Sequence, residues 1–273
     1  MYKLIYKVMK KNQIKISLVL PLFNPRHDHL KECLDSIFDQ EFKDFELVVV
    51  DDSNKEMNNE ELFNSFPADR IQYHMNERPI GLQASLNLGI KNSKGAFIAR
   101  MDGDDICKKN RLSTQINFLE ENPNISVVGS NCITIDSNGN DVGKRTYPSS
   151  NKDIKNSFFN PIAHPSVMFQ KNFFDKYGLY DETNEIEDWE LWLRTLKMGG
   201  QLANIQEDLL KLRVFSGNDF QRPRHWHLVY KMGIKYFDKK RFYFSITFIV
   251  FWFFVHIAPF KKILRKIKIF IDD

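Results

Sequence analysis

Short apolar runs alternate with stretches of helical spacing along the first half of the chain. Apolar residues fill most of 16–22 and 45–50, and polar or turn-forming residues bound both runs, which predicts two buried strands. Between them, apolar residues recur every three or four positions over 30–38. This spacing predicts an amphipathic helix, with Asp28 at its N-cap.

The same alternation continues to residue 135. We predict strands at 71–75, 96–101 and 125–135, and helices at 60–66, 82–92 and 110–121. Strands that alternate with helices predict an α/β fold with a doubly wound, mostly parallel sheet. Ligands of such sheets bind beyond the carboxyl ends of the strands, so residues that follow the strands are the first candidates for a site.

The second half of the chain is less regular and ends in an unusual segment. A turn-rich stretch covers 136–151, a short strand follows His164, and a helix begins near Glu187. Residues 242–260 are almost wholly apolar and aromatic, with Lys and Arg on both sides. Their length is near the lower limit for a bilayer-spanning helix, which needs about 20 residues. A spanning helix and a helix lying in the membrane interface both remain open.

Composition narrows the class of protein. The 273 residues are 42% hydrophobic and 27% charged, as in globular proteins, and a formal net charge of +4 does not suggest nucleic-acid binding. The three cysteines form neither a disulfide framework nor a zinc spacing, which favours a reducing compartment. Residues 1–13 lack the continuous apolar run of a signal peptide, so we expect the catalytic part to stay on the cytoplasmic side.

Two acidic clusters follow predicted strands. Asp102, Asp104 and Asp105 lie within four positions, where they repel one another unless a cation neutralises them. Such oxygen ligands suit Mg²⁺ or Mn²⁺ bound beside substrate phosphates, and the alternative is an acidic turn that caps the next helix. Asp51 and Asp52 could accept hydrogen bonds from a base or a ribose, or form an Asx-turn.

A third acidic cluster, Glu187 and Asp188, begins a predicted helix. An aspartate there could take the proton from an acceptor hydroxyl, or it could simply cap the helix and be stabilised by the helix dipole. His164 precedes a proline and a strand. It could be a metal ligand, an acceptor contact or a structural histidine, and we favour the structural role.

Taken in order, these segments resemble the family-2 glycosyltransferases, which have the GT-A fold. The resemblance covers about 15–215 and rests on an ordered series rather than on one motif. The series is Ile-Ser-Leu-Val-Leu-Pro-Leu-Phe-Asn at 16–24, Phe-Glu-Leu-Val-Val-Val-Asp-Asp-Ser at 45–53, the spaced Asn76, Gly81 and Asn87, Lys-Gly-Ala-Phe-Ile-Ala-Arg-Met-Asp-Gly-Asp-Asp at 94–105, His-Pro-Ser at 164–166, and Glu-Asp-Trp-Glu-Leu-Trp-Leu-Arg at 187–194.

The resemblance implies a domain organisation. A GT-A domain would occupy 15–220, with a Rossmann-like nucleotide-sugar half at 15–135 and an acceptor half at 136–220. We expect a basic extension at 1–14 before it. After it, we expect a basic, aromatic and helical segment at 221–273 that associates with the membrane.

The resemblance also implies a role for each matched residue. The donor-binding residues would be Pro21, Phe23, Asp52, Asn76, Gly81, Asn87, Arg100 and Asp102. Asp104 would be the main ligand of Mn²⁺ or Mg²⁺, with Asp102 in support. Asp188 would be the base that activates the acceptor hydroxyl. Because the family is inverting, the expected step is a single in-line displacement at the anomeric carbon.

Two departures from the family pattern refine this picture. Phe23 stands where the family usually has Tyr, so a stacking role survives while a hydroxyl contact does not. Processive members carry a Gln-x-x-Arg-Trp motif, whereas 221–226 reads Gln-Arg-Pro-Arg-His-Trp, with one residue too many. We therefore expect a single-addition enzyme rather than a polysaccharide synthase.

The expected activity is transfer of a sugar from a UDP-sugar to a polyprenyl-diphosphate-linked glycan, for surface polysaccharide, at the cytoplasmic face of the inner membrane. Two other functions compete with it. A sugar-1-phosphate nucleotidyltransferase needs a Gly-rich loop after the first strand, and 21–24 has no glycine. A scaffold built on a decayed transferase fold would be expected to lose its carboxylates first, yet all of them are present.

Overall fold

The computed structural model describes residues 14–215 except 55, 56, 58, 158 and 159. It also describes the isolated positions 232, 235 and 236. The chain divides into two compact units, Met1–Ser216 and Gly217–Asp273, and every element described below lies in the first. The apolar stretch at 242–260 and residues 1–13 lie outside the described residues. Within the described part, no helix has the length and apolar character needed to cross a membrane.

Strands and helices alternate in the first half of this unit, as the sequence predicts. The strands are β1 (Ile16–Leu22), β2 (Phe45–Asp51), β3 (Ile71–Met75), β4 (Phe97–Arg100), β5 (Ile106–Cys107), β6 (Val127–Ile135), β7 (Asp141–Arg145), β8 (Met168–Gln170) and β9 (Leu202–Arg213). The helices are α1 (His27–Phe38), α2 (Glu60–Phe63), α3 (Leu82–Asn92), α4 (Arg111–Glu121), α5 (Asn151–Asn156), α6 (Asn172–Tyr177) and α7 (Glu187–Lys197), with short 3₁₀ turns at Ala68–Arg70 and His164–Ser166.

All nine strands join one sheet in the order β3-β2-β1-β4-β8-β6-β9-β5, with β7 beside β6. The pairs of β1 with β2, β1 with β4, β2 with β3 and β6 with β9 are parallel. The pairs of β8 with β4 and β6, β5 with β9, and β7 with β6 are antiparallel. The predicted mostly parallel sheet is therefore correct for the first half and wrong for the whole, which is mixed. Parallel pairing needs a long crossover connection. In the second half β6 and β9 have one, whereas β7 returns beside β6 through a short turn and the short strand β8 pairs antiparallel with β4 and β6.

Helices cover both faces of the parallel half. β1 and β2 are buried along their whole length, as expected for strands packed on both sides. The apolar stripe of α1, which includes Leu30 and Leu34, joins the main core on one face. On the other face α3 lies very close, since a Cβ added at Gly89 would stand 2.5 Å from Val19 Cγ1. The loops that follow the carboxyl ends of these strands are therefore left to form a site.

Two predicted helix boundaries are wrong. The N-cap of α1 is Arg26 rather than Asp28, which lies in the first turn and pairs with the Arg26 guanidinium. A carboxylate in the first turn is still favoured there by the helix dipole. The helix expected over 60–66 ends at Phe63, where the chain turns towards β3.

Candidate active site

A cleft of about 750 Å³ opens beside the carboxyl ends of β1, β2 and β4. Six of the residues predicted from sequence line it, namely Pro21, Phe23, Asp52, Gly81, Asp102 and Asp104. The other predicted residues, Asn76, Asn87, Arg100 and Asp188, lie outside this lining. The structure therefore brings six of the ten predicted residues, including both expected metal ligands, together in one cleft, and Asp188 is not among them.

The loop after β1 presents an aromatic ring to the cleft. The Phe23 side chain is 65% exposed, although it follows a fully buried strand. The next residue, Asn24, has a φ of 45° and donates its backbone N–H to Ser53 Oγ at 2.7 Å. The loop after β1 is thus held against the loop after β2. An exposed ring in a pocket wall is suited to stack on a planar ligand.

Asp51 and Asp52 have different surroundings, although they are neighbours. Asp51 is fully buried, and its carboxylate accepts hydrogen bonds from the Ser53 N–H at 2.9 Å, the Asn59 amide at 2.9 Å and the Tyr73 hydroxyl. Burial and this contact raise the pKa of Tyr73, so its hydroxyl keeps its proton and remains a donor. Asp51 is therefore a structural residue that fixes the end of β2.

Asp52 lies at the cleft and holds its opposite wall. Its carboxylate accepts hydrogen bonds from Asn76 Nδ2 at 2.7 Å, the Ile80 N–H at 2.8 Å and the Gly81 N–H at 2.8 Å. Gly81 has a φ of 90°, a conformation that favours glycine. The Ile80 N–H is also 3.1 Å from the second carboxylate oxygen, which it shares with Gly81. A carboxylate has about four acceptor positions, so a ligand donor has room only at this second oxygen, where the Ile80 contact is the longer one. Asn76 therefore acts on the cleft through Asp52.

Asn87 connects the two halves of the domain from the buried side of α3. Its amide donates to the Tyr180 carbonyl at 3.0 Å and to Glu182 Oε1 at 2.9 Å, while its oxygen accepts from the Tyr180 N–H at 3.0 Å. These contacts occupy both polar atoms of the side chain. The structure thus places Asn87 where it positions the turn around Tyr180 rather than where it faces the cleft.

The acidic triad follows β4, and its members meet in space. Asp102, Asp104 and Asp105 each offer an oxygen within 4.8 Å of the others. Arg100 holds Asp102 with two contacts of 2.8 and 2.5 Å. Burial raises the pKa of Asp104 and of Asp105, and the nearby carboxylates raise both further.

One oxygen of the triad lacks a protein partner. Asp105 is 1% exposed, and its Oδ2 has no hydrogen-bond donor among the described residues. A buried carboxylate oxygen without a donor is costly unless a cation or another donor reaches it. With three carboxylates converging, the donor set fits a hard divalent cation.

The predicted base begins α7. Asp188 Oδ1 accepts the N–H of Trp189 at 2.6 Å, and Oδ2 accepts from the Asn160 amide. Burial raises the pKa of Asp188, and the neighbouring Glu187 carboxylate raises it further. These contacts orient the carboxylate, and each oxygen keeps an acceptor position for a further proton donor.

A match to the family model now decides the class of protein. The description of that model is "Glycosyl transferase family 2", and it matches residues 17–178. The chain belongs to this family. It is a glycosyltransferase, as the order of its motifs predicts.

Two relatives of the transferase are named for polysaccharide biosynthesis. It is 31% identical over 221 residues to the amylovoran biosynthesis glycosyltransferase AmsE of Erwinia amylovora, covering 78% of this chain and 81% of that protein. It is 29% identical over 214 residues to the O-antigen biosynthesis glycosyltransferase WbnJ of Escherichia coli, covering 76% and 83%.

A solved structure shows the same fold. The crystal structure of S. aureus TarS 1-349 in complex with UDP-GlcNAc matches with a TM-score of 0.62 and 17% identity over 81% of this chain. The transferase spans 66% of that TarS chain, slightly less than two thirds. This likeness confirms the predicted GT-A fold.

The site of the transferase also includes residues that no sequence motif indicates. Arg213 ends β9 and contacts the acidic loop, while His29 and Phe215 line the cleft. Arg213 is the last residue of a long strand and Phe215 lies just after it, and no distinctive spacing or motif singles them out. His29 lies on the buried face of α1, where a histidine normally indicates a core contact.

A buried histidine of the transferase should control its acid stability. His164 Nε2 lies 2.8 Å from the Tyr180 hydroxyl, and Nδ1 lies 3.6 Å from Glu187 Oε1. Burial, with the nearby Arg100 charge, lowers the pKa of His164 to about 3. The ring is therefore neutral at pH 7, and its contact with Glu187 is not an ion pair.

We expect His164→Asn to reduce the acid sensitivity of folding. Unfolded His164 binds a proton below its ordinary pKa, whereas folded His164 binds one only near pH 3, so stability is complete above about pH 6.5 and falls as the pH drops. Between pH 7 and pH 5 this group removes about 2 kcal/mol from the free energy of unfolding. Urea titrations at several pH values should show that, between pH 7 and pH 5, the free energy of unfolding falls less in the variant than in the wild type by about this amount. Between pH 8 and pH 7, variant and wild type should respond alike, and equal losses down to pH 5 would contradict the assignment.

Proposed function

We propose that the transferase binds a UDP-sugar in the cleft with Mn²⁺ or Mg²⁺ and passes a hexosyl or N-acetylhexosaminyl group to a glycan hydroxyl. The acceptor is a polyprenyl-diphosphate-linked glycan of surface-polysaccharide biosynthesis. The observation that carries the proposal is that one cleft is lined by the exposed Phe23 ring, the Asp52 carboxylate and two members of the acidic triad, Asp102 and Asp104. A nucleoside diphosphate needs a surface on which its base can stack, a polar contact for the base or ribose, and a cation for its phosphates.

The nucleoside end of the donor lies against the loops after β1 and β2. Phe23 stacks on the base, and Pro21 forms the floor beside it. Asp52, which keeps one acceptor position, takes a hydrogen bond from the base or the ribose. The fold neighbour TarS in complex with UDP-GlcNAc supports uridine as the nucleoside.

The diphosphate end lies at the acidic triad. Asp104 and Asp102 would hold the divalent cation, and the Asp105 oxygen that has no donor among the described residues would be available to it. A bound cation neutralises charge that develops on the departing diphosphate. Arg100 keeps the Asp102 carboxylate in one orientation through its two contacts.

Asp188 supplies the base for the acceptor. It takes the proton from the acceptor hydroxyl while that oxygen bonds to the anomeric carbon and the bond to the nucleoside diphosphate breaks. The diphosphate leaves with the bonding electron pair, and the anomeric configuration inverts. The Trp189 N–H and the Asn160 amide hold the carboxylate during proton transfer.

The place of action is the cytoplasmic face of the inner membrane. Basic and aromatic residues dominate 221–273, and Lys and Arg near anionic headgroups favour docking. The named relatives for amylovoran and O-antigen support a role in surface polysaccharide.

Nucleotide release from a panel of donors tests this function. Full-length protein is given UDP-, GDP- and dTDP-sugars with Mn²⁺ or Mg²⁺ and then with EDTA, and its flotation with anionic vesicles is followed in parallel. We expect nucleotide release from one UDP-sugar, its loss in EDTA, and co-flotation with vesicles. Release from GDP- or dTDP-sugars alone would contradict uridine, and protein left behind by the vesicles would contradict the membrane assignment. Absence of both release and metal-dependent nucleotide binding would favour the scaffold reading.

A further inference from the structure

One buried guanidinium joins three separate segments around the acidic triad. The Arg213 side chain is fully buried. Its Nε donates to the Asp104 carbonyl at 2.8 Å, Nη1 to the Asp136 carbonyl at 2.9 Å, and Nη2 to Glu32 Oε2 at 2.6 Å. The acidic loop, the turn after β6 and helix α1 are thus fixed to the end of β9.

The main chain of the same residue holds the triad as well. The Arg213 N–H donates to Asp105 Oδ1 at 2.8 Å, which leaves Oδ2 of that carboxylate free to face a cation. On the other side of the loop, Arg100 holds Asp102. The acidic loop is therefore held from two strands, and Phe215, two residues after Arg213, lines the cleft.

We propose that Arg213 is a positioning residue that keeps the acidic triad in the geometry needed to bind a divalent cation. The proposal rests on the proposed function, because it takes the triad to be the cation site. Three carboxylates within 4.8 Å repel one another, so an unsupported loop would spread. Hydrogen bonds to the loop backbone oppose that spreading without occupying the oxygens that face the cation.

The contacts require arginine rather than any cation. A guanidinium presents its donors in a rigid planar fork, whereas a lysine ammonium is a point charge on a flexible stem. Glu32, half-exposed, neutralises this charge, so the cation site does not face an unpaired guanidinium. Loss of a residue that orients metal ligands commonly weakens metal affinity by about 10- to 100-fold.

The test compares two opposite substitutions on strand β9, one from arginine to lysine and one from lysine to arginine. Arg213→Lys keeps the charge and loses the fork, while Lys211→Arg changes a residue that pairs with the exposed Asp141. Full-length proteins are compared by hydrogen exchange of residues 102–107 without metal, and by electron paramagnetic resonance titration with Mn²⁺. For Arg213→Lys we expect faster exchange in this segment and Mn²⁺ affinity about tenfold weaker or more. Lys211→Arg should match the wild type in both.

Folded Arg213→Lys with wild-type exchange at 102–107 would overturn the proposal, as would unchanged Mn²⁺ affinity. If the wild type itself binds no Mn²⁺, the proposed metal dependence fails, and the exchange data still decide the positioning role. If Arg213→Lys does not fold, Glu32→Ala takes its place, because it removes one of the three bonds at a half-exposed position. Glu32→Ala should also speed hydrogen exchange at 102–107 and weaken Mn²⁺ binding, by less than we expect for Arg213→Lys. Wild-type values of both quantities would overturn the proposal.

Discussion

Asp188→Asn is expected to lower kcat by about 10²- to 10⁴-fold, the range that general-base catalysis contributes, and to leave nucleotide affinity unchanged. Asparagine has the same shape and can still accept the Trp189 N–H, but its amide cannot take up a proton from the acceptor. The residue also lies outside the cleft lining. Steady-state rates of nucleotide release, with calorimetric binding of UDP, check both parts of this expectation.

Glu187→Gln is the matched control for this change. Glu187 is the neighbouring carboxylate on α7 and lies beside the neutral ring of His164. We expect Glu187→Gln to lower kcat far less than Asp188→Asn does. A severe loss in Glu187→Gln with little effect of Asp188→Asn would exchange the two roles.

The pH profile gives a second check on Asp188. Burial and the Glu187 charge raise the pKa of Asp188 above the ordinary aspartate value. Since the base must be deprotonated to act, kcat should fall as the pH drops through this raised pKa. The acid limb of the profile should therefore lie above the usual aspartate range, and it should be absent from the residual activity of Asp188→Asn.

Asp104→Asn is expected to abolish most activity while making the metal-free protein more stable. A bound cation contributes several kcal/mol to stabilising the departing charge, which corresponds to about 10²- to 10³-fold in rate. Without metal, burial and the charge of Asp102 raise the pKa of Asp104, so at neutral pH its charge opposes folding. Removing that charge relieves the repulsion.

Thermal unfolding with and without Mn²⁺ separates the two effects of Asp104→Asn. The wild type should melt at a higher temperature when Mn²⁺ is added, because a ligand that binds the folded state stabilises it. The variant should melt at a higher temperature than the metal-free wild type and gain little from Mn²⁺. Asp141→Asn, an exposed carboxylate paired with Lys211, is the control and should keep both activity and the response to Mn²⁺. A variant that gains as much from Mn²⁺ as the wild type would remove Asp104 from the cation site.

The parallel half of the fold could be predicted because its sequence signals are local. β1 and β2 are continuous apolar runs, α1 has a regular apolar stripe, and Gly81 precedes α3 as expected. The carboxyl ends of parallel strands lie along one edge. The alternation of strands and helices therefore predicts that Asp52 and the acidic triad lie at one edge of the sheet, and the structure places Asp52, Asp102 and Asp104 in one cleft there.

The rest could not be predicted, since it depends on contacts between distant segments. No pattern near β8 shows that it enters antiparallel between β4 and β6. Nor does spacing reveal that Asn87 binds the Tyr180 turn, 93 residues away. The residue types indicate which side chains could bind a ligand or transfer a proton. Only the tertiary structure shows which of these side chains instead hold another part of the site in place.

The contact between Asp105 and Arg213 spans 108 residues, and this separation bears on the order in which the protein assembles. On the ribosome, the strands and helices of the parallel half are synthesised well before β9. They can pair locally, yet the acidic loop lacks its partner until the last strand of the sheet is added. Competence to hold a cation is thus acquired late, when the domain is nearly complete, and partly folded chains do not present a finished site.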